Sequence, residues 1–227
     1  MTFAWNPGRL ALALAMLVAF AASGAPTGLL YDPEPPPNSA YVRVINATAG
    51  AMTEITVDGK PRIKDLASND ASEYLVLPAG KRTLGIARRD GASTNVPIDV
   101  IAGRALSVAF GADAKPWIFE DKANTNLLKA VLAVYHLDAK APAIDVVTAN
   151  GATRVMKGLK PGTSQGLAVN PVKVDLAAVT EGAATSLATA SVAMQPGGTY
   201  SLLLFPGPGG AFVARAIQNK VERYAGK

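Results

Sequence analysis

Apolar and polar residues in this chain alternate with a period of two over short stretches that end at turn residues, which predicts β-strands rather than helices. From Ala40 onward, Tyr41, Arg43 and Ile45 alternate with Val42, Val44 and Asn46, and both faces carry strand-favouring residues. Ile55-Thr56-Val57 runs into Asp58-Gly59, a hairpin signal, and the apolar run over residues 71–77 closes on Pro78-Ala79-Gly80. Residues 81–87, 96–100 and 104–110 predict further short strands, with Gly91 and Gly103 at the turns between them. Short strands at this spacing predict a β-sandwich.

The second half of the chain repeats the first. Asn46 falls on His136 at an offset of 90 residues, and the Asp58-Gly59 turn falls near Asn150-Gly151. Ile63-Lys64-Asp65-Leu66 resembles Met156-Lys157-Gly158-Leu159, residues 81–86 lie over 173–177, and 105–110 lie over 200–205 at an offset of 95. The growth of the offset places a small insertion around residues 180–190. Near the C-terminus, Val213, Ile217, Val221 and Tyr224 have the spacing of an amphipathic helix. The repeat register argues against it, because 205–212 lines up with 110–117 and both read as a strand, a turn and a returning strand. A hairpin ending in residues 212–217 is therefore expected, and Trp117, matched to Phe212, is expected in a core.

The expected fold class is all-β: two tandem small antiparallel β-sandwich modules, Ig-like or jelly-roll-like, following a cleaved signal peptide. The modules span residues 40–120 and 127–227, with a linker over 121–126. Residues 1–25 read as the signal peptide: Arg9 is followed by an apolar stretch over 10–22 that is short for a membrane span, then by Ala22, Ser23, Gly24 and Ala25 as a cleavage region. Residues 26–39 form a leader with five prolines, in which Leu29, Leu30 and Tyr31 are expected to dock on the first module. A compartment outside the cytoplasm is expected.

Composition narrows the chemistry. The chain has no Cys, so it has neither disulfides nor a thiolate, and its 49% hydrophobic content must hold the fold by packing. Removing Arg9 with the signal leaves 21 basic residues against 17 acidic ones, a mild excess with no dense basic stripe, which excludes a nucleic-acid footprint and allows an acidic partner. The single His136 lies in a predicted strand; Asp138 shares its face, but no nucleophile is assigned to it. No catalytic residue, metal site or cofactor is expected. Glu120-Asp121 reads as a solvated linker pair, and Gly207-Pro208-Gly209-Gly210 as a turn. Binding remains, and the residues expected to face a polymer or partner are Arg43, Arg88, Arg89, Lys129, Tyr135 and His136.

Four segments carry a family resemblance: Tyr41 to Ala47 (YVRVINA), Tyr74 to Gly80 (YLVLPAG), Asn126 to Ala130 (NLLKA) with Leu132 to Leu137 (LAVYHL), and Val169 to Val174 (VNPVKV). Together these resemble the bacterial alginate O-acetylation protein AlgF family, over roughly Leu30 to the C-terminus. Where that family tends to read Tyr-Asn-Leu, this chain has Tyr135-His136-Leu137. The resemblance implies a periplasmic, non-enzymatic accessory protein of exopolysaccharide O-acetylation. It would act beside a membrane-bound O-acyltransferase and periplasmic acetyltransferase proteins, binding those acetyltransferases, an acidic polysaccharide, or both. A lectin-like module unrelated to acetylation and an acetyltransferase or esterase in its own right are the alternatives.

Overall fold

A computed structural model describes Met1 and residues 34–111, 115–183 and 185–224. The expected signal peptide and Leu29, Leu30 and Tyr31 lie outside the described residues. The strands of the first module are β1 (Ser39–Asn46), β2 (Met52–Val57), β3 (Lys60–Leu66), β4 (Asp70–Ala71), β5 (Leu75–Pro78), β6 (Gly80–Arg88), β7 (Ser93–Val100), β8 (Ala105–Phe110) and β9 (Trp117–Asp121). Those of the second are β10 (Ala130–His136), β11 (Ile144–Thr148), β12 (Arg154–Leu159), β13 (Ser164–Val169), β14 (Lys173–Thr180), β15 (Ser186–Ala193), β16 (Thr199–Pro206) and β17 (Phe212–Gln218).

Each module is a sandwich of two sheets. In the first, β4-β1-β8-β9, with β5 also on β1, faces β3-β2-β6-β7; in the second, β13-β10-β16-β17 faces β12-β11-β14-β15. Pairing is antiparallel except at one place per module, where β1 runs parallel to β8 and β10 parallel to β16. These chain-distant partners are reached only after the excursion through the facing sheet, which permits the parallel match. Val42, Val44, Ile55, Leu84, Ile86, Val108 and Phe110 fill the first core, and Leu132, Val134, Ile144, Val146, Leu202, Leu204 and Phe212 the second.

A third core joins the modules. The sheets containing β1 and β10 pack against each other through Ile45, Ala109 and Phe119 on one side and Tyr135, Leu137, Leu203 and Phe205 on the other. The strands β1 and β10 are therefore covered on both faces, which explains why both faces of each are strand-favouring and largely apolar. Residues 33–227 form one compact unit.

The C-terminal segment is strand β17, with Tyr200–Pro206 paired to Gln218–Phe212, so the helical spacing of Val213 and Ile217 does not form a helix. The repeat register needs one correction. Ala47 N–H donates to the Phe110 carbonyl and Leu137 N–H to the Leu204 carbonyl, so Phe110 corresponds to Leu204 at an offset of 94 rather than to Phe205. A slip of one residue exchanges the faces of a strand: Phe110 fills the first core, whereas Phe205 lies between the modules. The same correction pairs Trp117, opposite Ala109, with Arg215, opposite Leu203, rather than with Phe212. Trp117 is half-buried at the junction between modules, against Gly111 and Gly162. The extra length falls in the β14–β15 hairpin. Val179 pairs with Ser186 where the first module pairs Ala87 with Ser93, one residue more, and Leu187 adds a bulge.

Candidate functional site

Arg43 stands at the centre of the junction, with 0% of its surface exposed. Strand alternation turns Arg43 and Ile45 away from the first core and toward the second module, and the parallel register sets Ser107 beside Arg43. The guanidinium donates from Nε to Ser107 Oγ (2.7 Å), from Nη1 to Asn219 Oδ1 (2.7 Å) and from Nη2 to Ser201 Oγ (2.8 Å). It also lies 4.7 Å from the ring centre of Tyr74 and 5.1 Å from that of Tyr135. The two hydroxyls it bonds are repeat equivalents, since Ser107 pairs with Arg43 and Ser201 with Ala133. One arginine serves both modules because the equivalent position is the small Ala133.

Asp121 balances the charge. It accepts hydrogen bonds from Tyr74 (2.7 Å), Ser107 (2.6 Å) and Tyr135. Burial, opposed by the nearby Arg43 charge, pushes the Tyr135 hydroxyl up to about 12, and that of Tyr74 further. Both phenols thus stay protonated and donate, and the carboxylate's lone pairs are engaged, so the cluster works as a pin between modules. Beside it lies a cavity of about 170 Å³, lined by Tyr41, Val131, Ala133 and Val221 together with Asp121 and Asn219.

His136 closes a turn. Its Nε2 donates to the Pro142 carbonyl (2.9 Å), its Nδ1 faces Asp138 N–H (3.4 Å), and its ring meets Phe212 edge-on at 5.2 Å. Asn46 performs the same task in the first module: Oδ1 accepts from Thr48 N–H (3.1 Å) while Nδ2 donates to the Gly50 and Leu66 carbonyls. Burial lowers the His136 pKa, against the raising effects of the Pro142 carbonyl and Asp138. The expectation that no nucleophile accompanies His136 rests on the chain having no Gly-x-Ser-x-Gly elbow, and that is wrong: Gly162-Thr163-Ser164-Gln165-Gly166 has this spacing. Here Ser164 opens strand β13 and pairs with Tyr135, so it shares the face of Tyr135 and lies on the face opposite the neighbouring His136.

The six residues expected to meet a partner are thus divided. Arg43, Tyr135 and His136 are buried and engaged within the chain, a correction whose cause is the covering of β1 and β10 on both faces. Arg88 and Arg89 lie together on a hollow of about 530 Å³ with Thr48, Gly50 and Asp90, where the buried Arg88 Nε meets no hydrogen-bond acceptor among the described residues. Lys129 bonds Asn170 through its ammonium group. A larger groove of about 660 Å³ lies where the chain's last described residues cross onto the first module. There Tyr74 N–H donates to the Lys220 carbonyl and Glu222 N–H to the Tyr74 carbonyl (both 2.8 Å), and Glu222 also accepts from Val76 N–H and pairs with Arg62. Lys60, Arg62, Arg82 and Arg223 face this groove with Asp58, Glu222 and Tyr224, four cations against two carboxylates.

The family model for the alginate O-acetyl transferase AlgF matches residues 9–201. The chain belongs to the AlgF family. It is 30% identical over 169 residues to the alginate biosynthesis protein AlgF of Pseudomonas aeruginosa, covering 74% of each chain. It is also 30% identical over 185 residues to AlgF of Pseudomonas fluorescens, covering 78% of this chain and 79% of the relative. Among solved structures it is similar to the C-terminal domain of AlgF from P. aeruginosa (27% identity, TM-score 0.35, 40% of this chain and 99% of that one). The N-terminal domain of the same protein also matches (19% identity, TM-score 0.33, 39% of this chain and 100% of that one). Membership in the AlgF family links the chain to alginate biosynthesis and its O-acetylation. Among the described residues, no helix is long and apolar enough to cross a membrane.

Proposed function

We propose that this AlgF-family chain is a non-catalytic periplasmic adaptor for O-acetylation of an exported, alginate-like polysaccharide. It would hold periplasmic acetyltransferases in working position beside a membrane-bound O-acyltransferase, and would meet the acidic polymer where that polymer is presented. The observation that supports this reading is how the polar residues are used. Arg43, Asp121, Tyr74, Tyr135 and His136 are engaged in holding modules and turns, whereas Lys60, Arg62, Arg82, Arg88 and Arg89 line open grooves at the surface, Arg62 and Arg82 there in ion pairs with Glu222 and Asp58. That division suits binding better than bond-making. The groove of Lys60, Arg62, Arg82 and Arg223 has the charge and the aromatic neighbour, Tyr224, to take an acidic partner.

The test is genetic and biochemical. Deleting the gene is expected to lower polymer acetyl esters sharply while polymer export continues, and tagged chain is expected to co-purify with the periplasmic acetyltransferases. Unchanged ester content refutes the adaptor role, and acetyl-ester turnover by the purified chain refutes its non-catalytic part.

A further inference from the structure

Three loops meet at one end of the second module: residues 122–129, 170–172 and 194–198. They are joined by the Gly197 N–H to Lys129 carbonyl bond (2.9 Å), the Met194 N–H to Val172 carbonyl bond (3.0 Å) and the Lys129–Asn170 side-chain bond. Asn124 ties the first loop down by donating to the Lys129 carbonyl (3.0 Å). Two successive side-chain turns, Asn124 Oδ1 accepting from Asn126 N–H and Asn126 Oδ1 from Leu128 N–H, fix the path of the backbone. On this ordered tip Leu127 is 76% exposed and Leu128 80%, with Val172 48% exposed in the adjoining loop. The three loops carry no Asp or Glu; Lys129 ends the first of them and Lys173 opens β14 beside the tip, while the Lys122 side chain packs over Gly166, three residues back along β13.

From this arrangement we propose that the tip is a membrane-docking element that sets Leu127, Leu128 and Val172 into the interface of an anionic bilayer, with Lys129 and Lys173 at its headgroups. Two features select a bilayer over a protein partner. The apolar surface is a small convex knob, whereas a stable protein interface needs roughly 800 Å² from each side. And an acid-free tip with Lys129 and Lys173 beside exposed leucines complements an anionic interface, where apolar insertion and cationic attraction add. The inference stands apart from the acetylation reading: either can fail without the other.

The chain from Pro26 onward keeps the compact unit whole and lacks the apolar N-terminal segment, so it can be sedimented with vesicles directly. With vesicles of phosphatidylethanolamine containing about a quarter phosphatidylglycerol, binding is expected, falling with salt and weaker on phosphatidylcholine alone. Leu127→Ser/Leu128→Ser is expected to weaken it about tenfold or more with an unchanged unfolding midpoint, and Lys129→Gln/Lys173→Gln to remove the preference for anionic lipid. No vesicle binding by the wild-type chain, or equal binding by the leucine variant, overturns the proposal. So does a leucine variant that loses only acetyltransferase co-purification, which would make the knob a protein contact.

Discussion

Replacing Arg43 by Met tests the junction between the modules. The substitution keeps an aliphatic stem and removes the guanidinium, so Ser107, Ser201 and Asn219 each lose a donor and Asp121 loses its balancing cation. Hydrogen bonds to charged groups contribute about 1.5–3 kcal/mol each, but three such terms do not add here. Ser107 still donates to Asp121, and Ser201 still donates to Asn219 at 2.8 Å. What remains is the loss of the charged hydrogen bonds and of a cation that reaches the half-buried Asp121 through the Ser107 hydroxyl, a net cost of about 1.5–3 kcal/mol. For a chain of this size, at about 2–4 °C per kcal/mol, the midpoint is expected to fall by roughly 3–12 °C. Adding Asp121→Asn removes the stranded charge, so the double variant is expected to be about 1–3 kcal/mol more stable than the sum of the single changes implies. Trp117, half-buried at the junction and the only tryptophan after residue 25, gives a local fluorescence readout alongside circular dichroism in urea. Wild-type stability in Arg43→Met, or no recovery in the double variant, refutes the charge-balanced pin.

Two further predictions concern pH. Burial lowers the His136 pKa in the folded chain, so the unfolded chain binds the proton more tightly. Stability is therefore full above about pH 6.5 and is lost as pH falls through the lowered value. His136→Asn, which copies Asn46, is expected to flatten this acid limb, and equal slopes for the two proteins in thermal melts would count against the assignment. At the alkaline end, Tyr135 is pushed up to about 12 and Tyr74 further, so the folded state keeps protons that the unfolded chain releases. Stability should hold below about pH 10 and decline as pH rises toward about 12. Tyr74→Phe/Tyr135→Phe is expected to remove that decline while costing about 1 kcal/mol per lost hydrogen bond near neutrality. An ultraviolet titration of the native protein in which every tyrosine ionises near its ordinary value would contradict it.

The all-β fold and the doubling were legible because strand alternation is a local signal, and the register of the repeat overruled the helical spacing of Val213, Ile217 and Val221. The junction was not legible, for a reason that the strands themselves supply. Two phenylalanines, Phe110 and Phe205, drew the register one residue too far, which hid the equivalence of Ser107 and Ser201. Alternation along β9 held the remaining clue: Glu120 turns outward to Arg104, so its neighbour Asp121 must turn inward. Read as a solvated pair, they concealed the acid that balances Arg43. In sequence, Asn46 falls on His136 with no shared role assigned to the two. The coordinates give them a common task, since an amide and an imidazole can both accept from the residue two ahead while donating to a carbonyl.

This division of labour decides where function should be sought. Because the inner faces of both modules are consumed by each other, an acidic partner has to be met on the outer sheets, the edges or the loop tips. A substitution at Arg43 or Tyr135 will therefore impair acetylation only in proportion to the folded protein it removes. Substitutions in the groove of Arg62 and Arg82 or at the Arg88-Arg89 hollow can impair it with the fold intact. Arg62 is partly committed already, through its pairing with Glu222, and Arg82 through Asp58 at 3.3 Å. An acidic partner entering that groove must then compete with two carboxylates of the chain's own. Such competition tends to make the contact weak, salt-sensitive and readily reversed, properties that suit the proposed adaptor role.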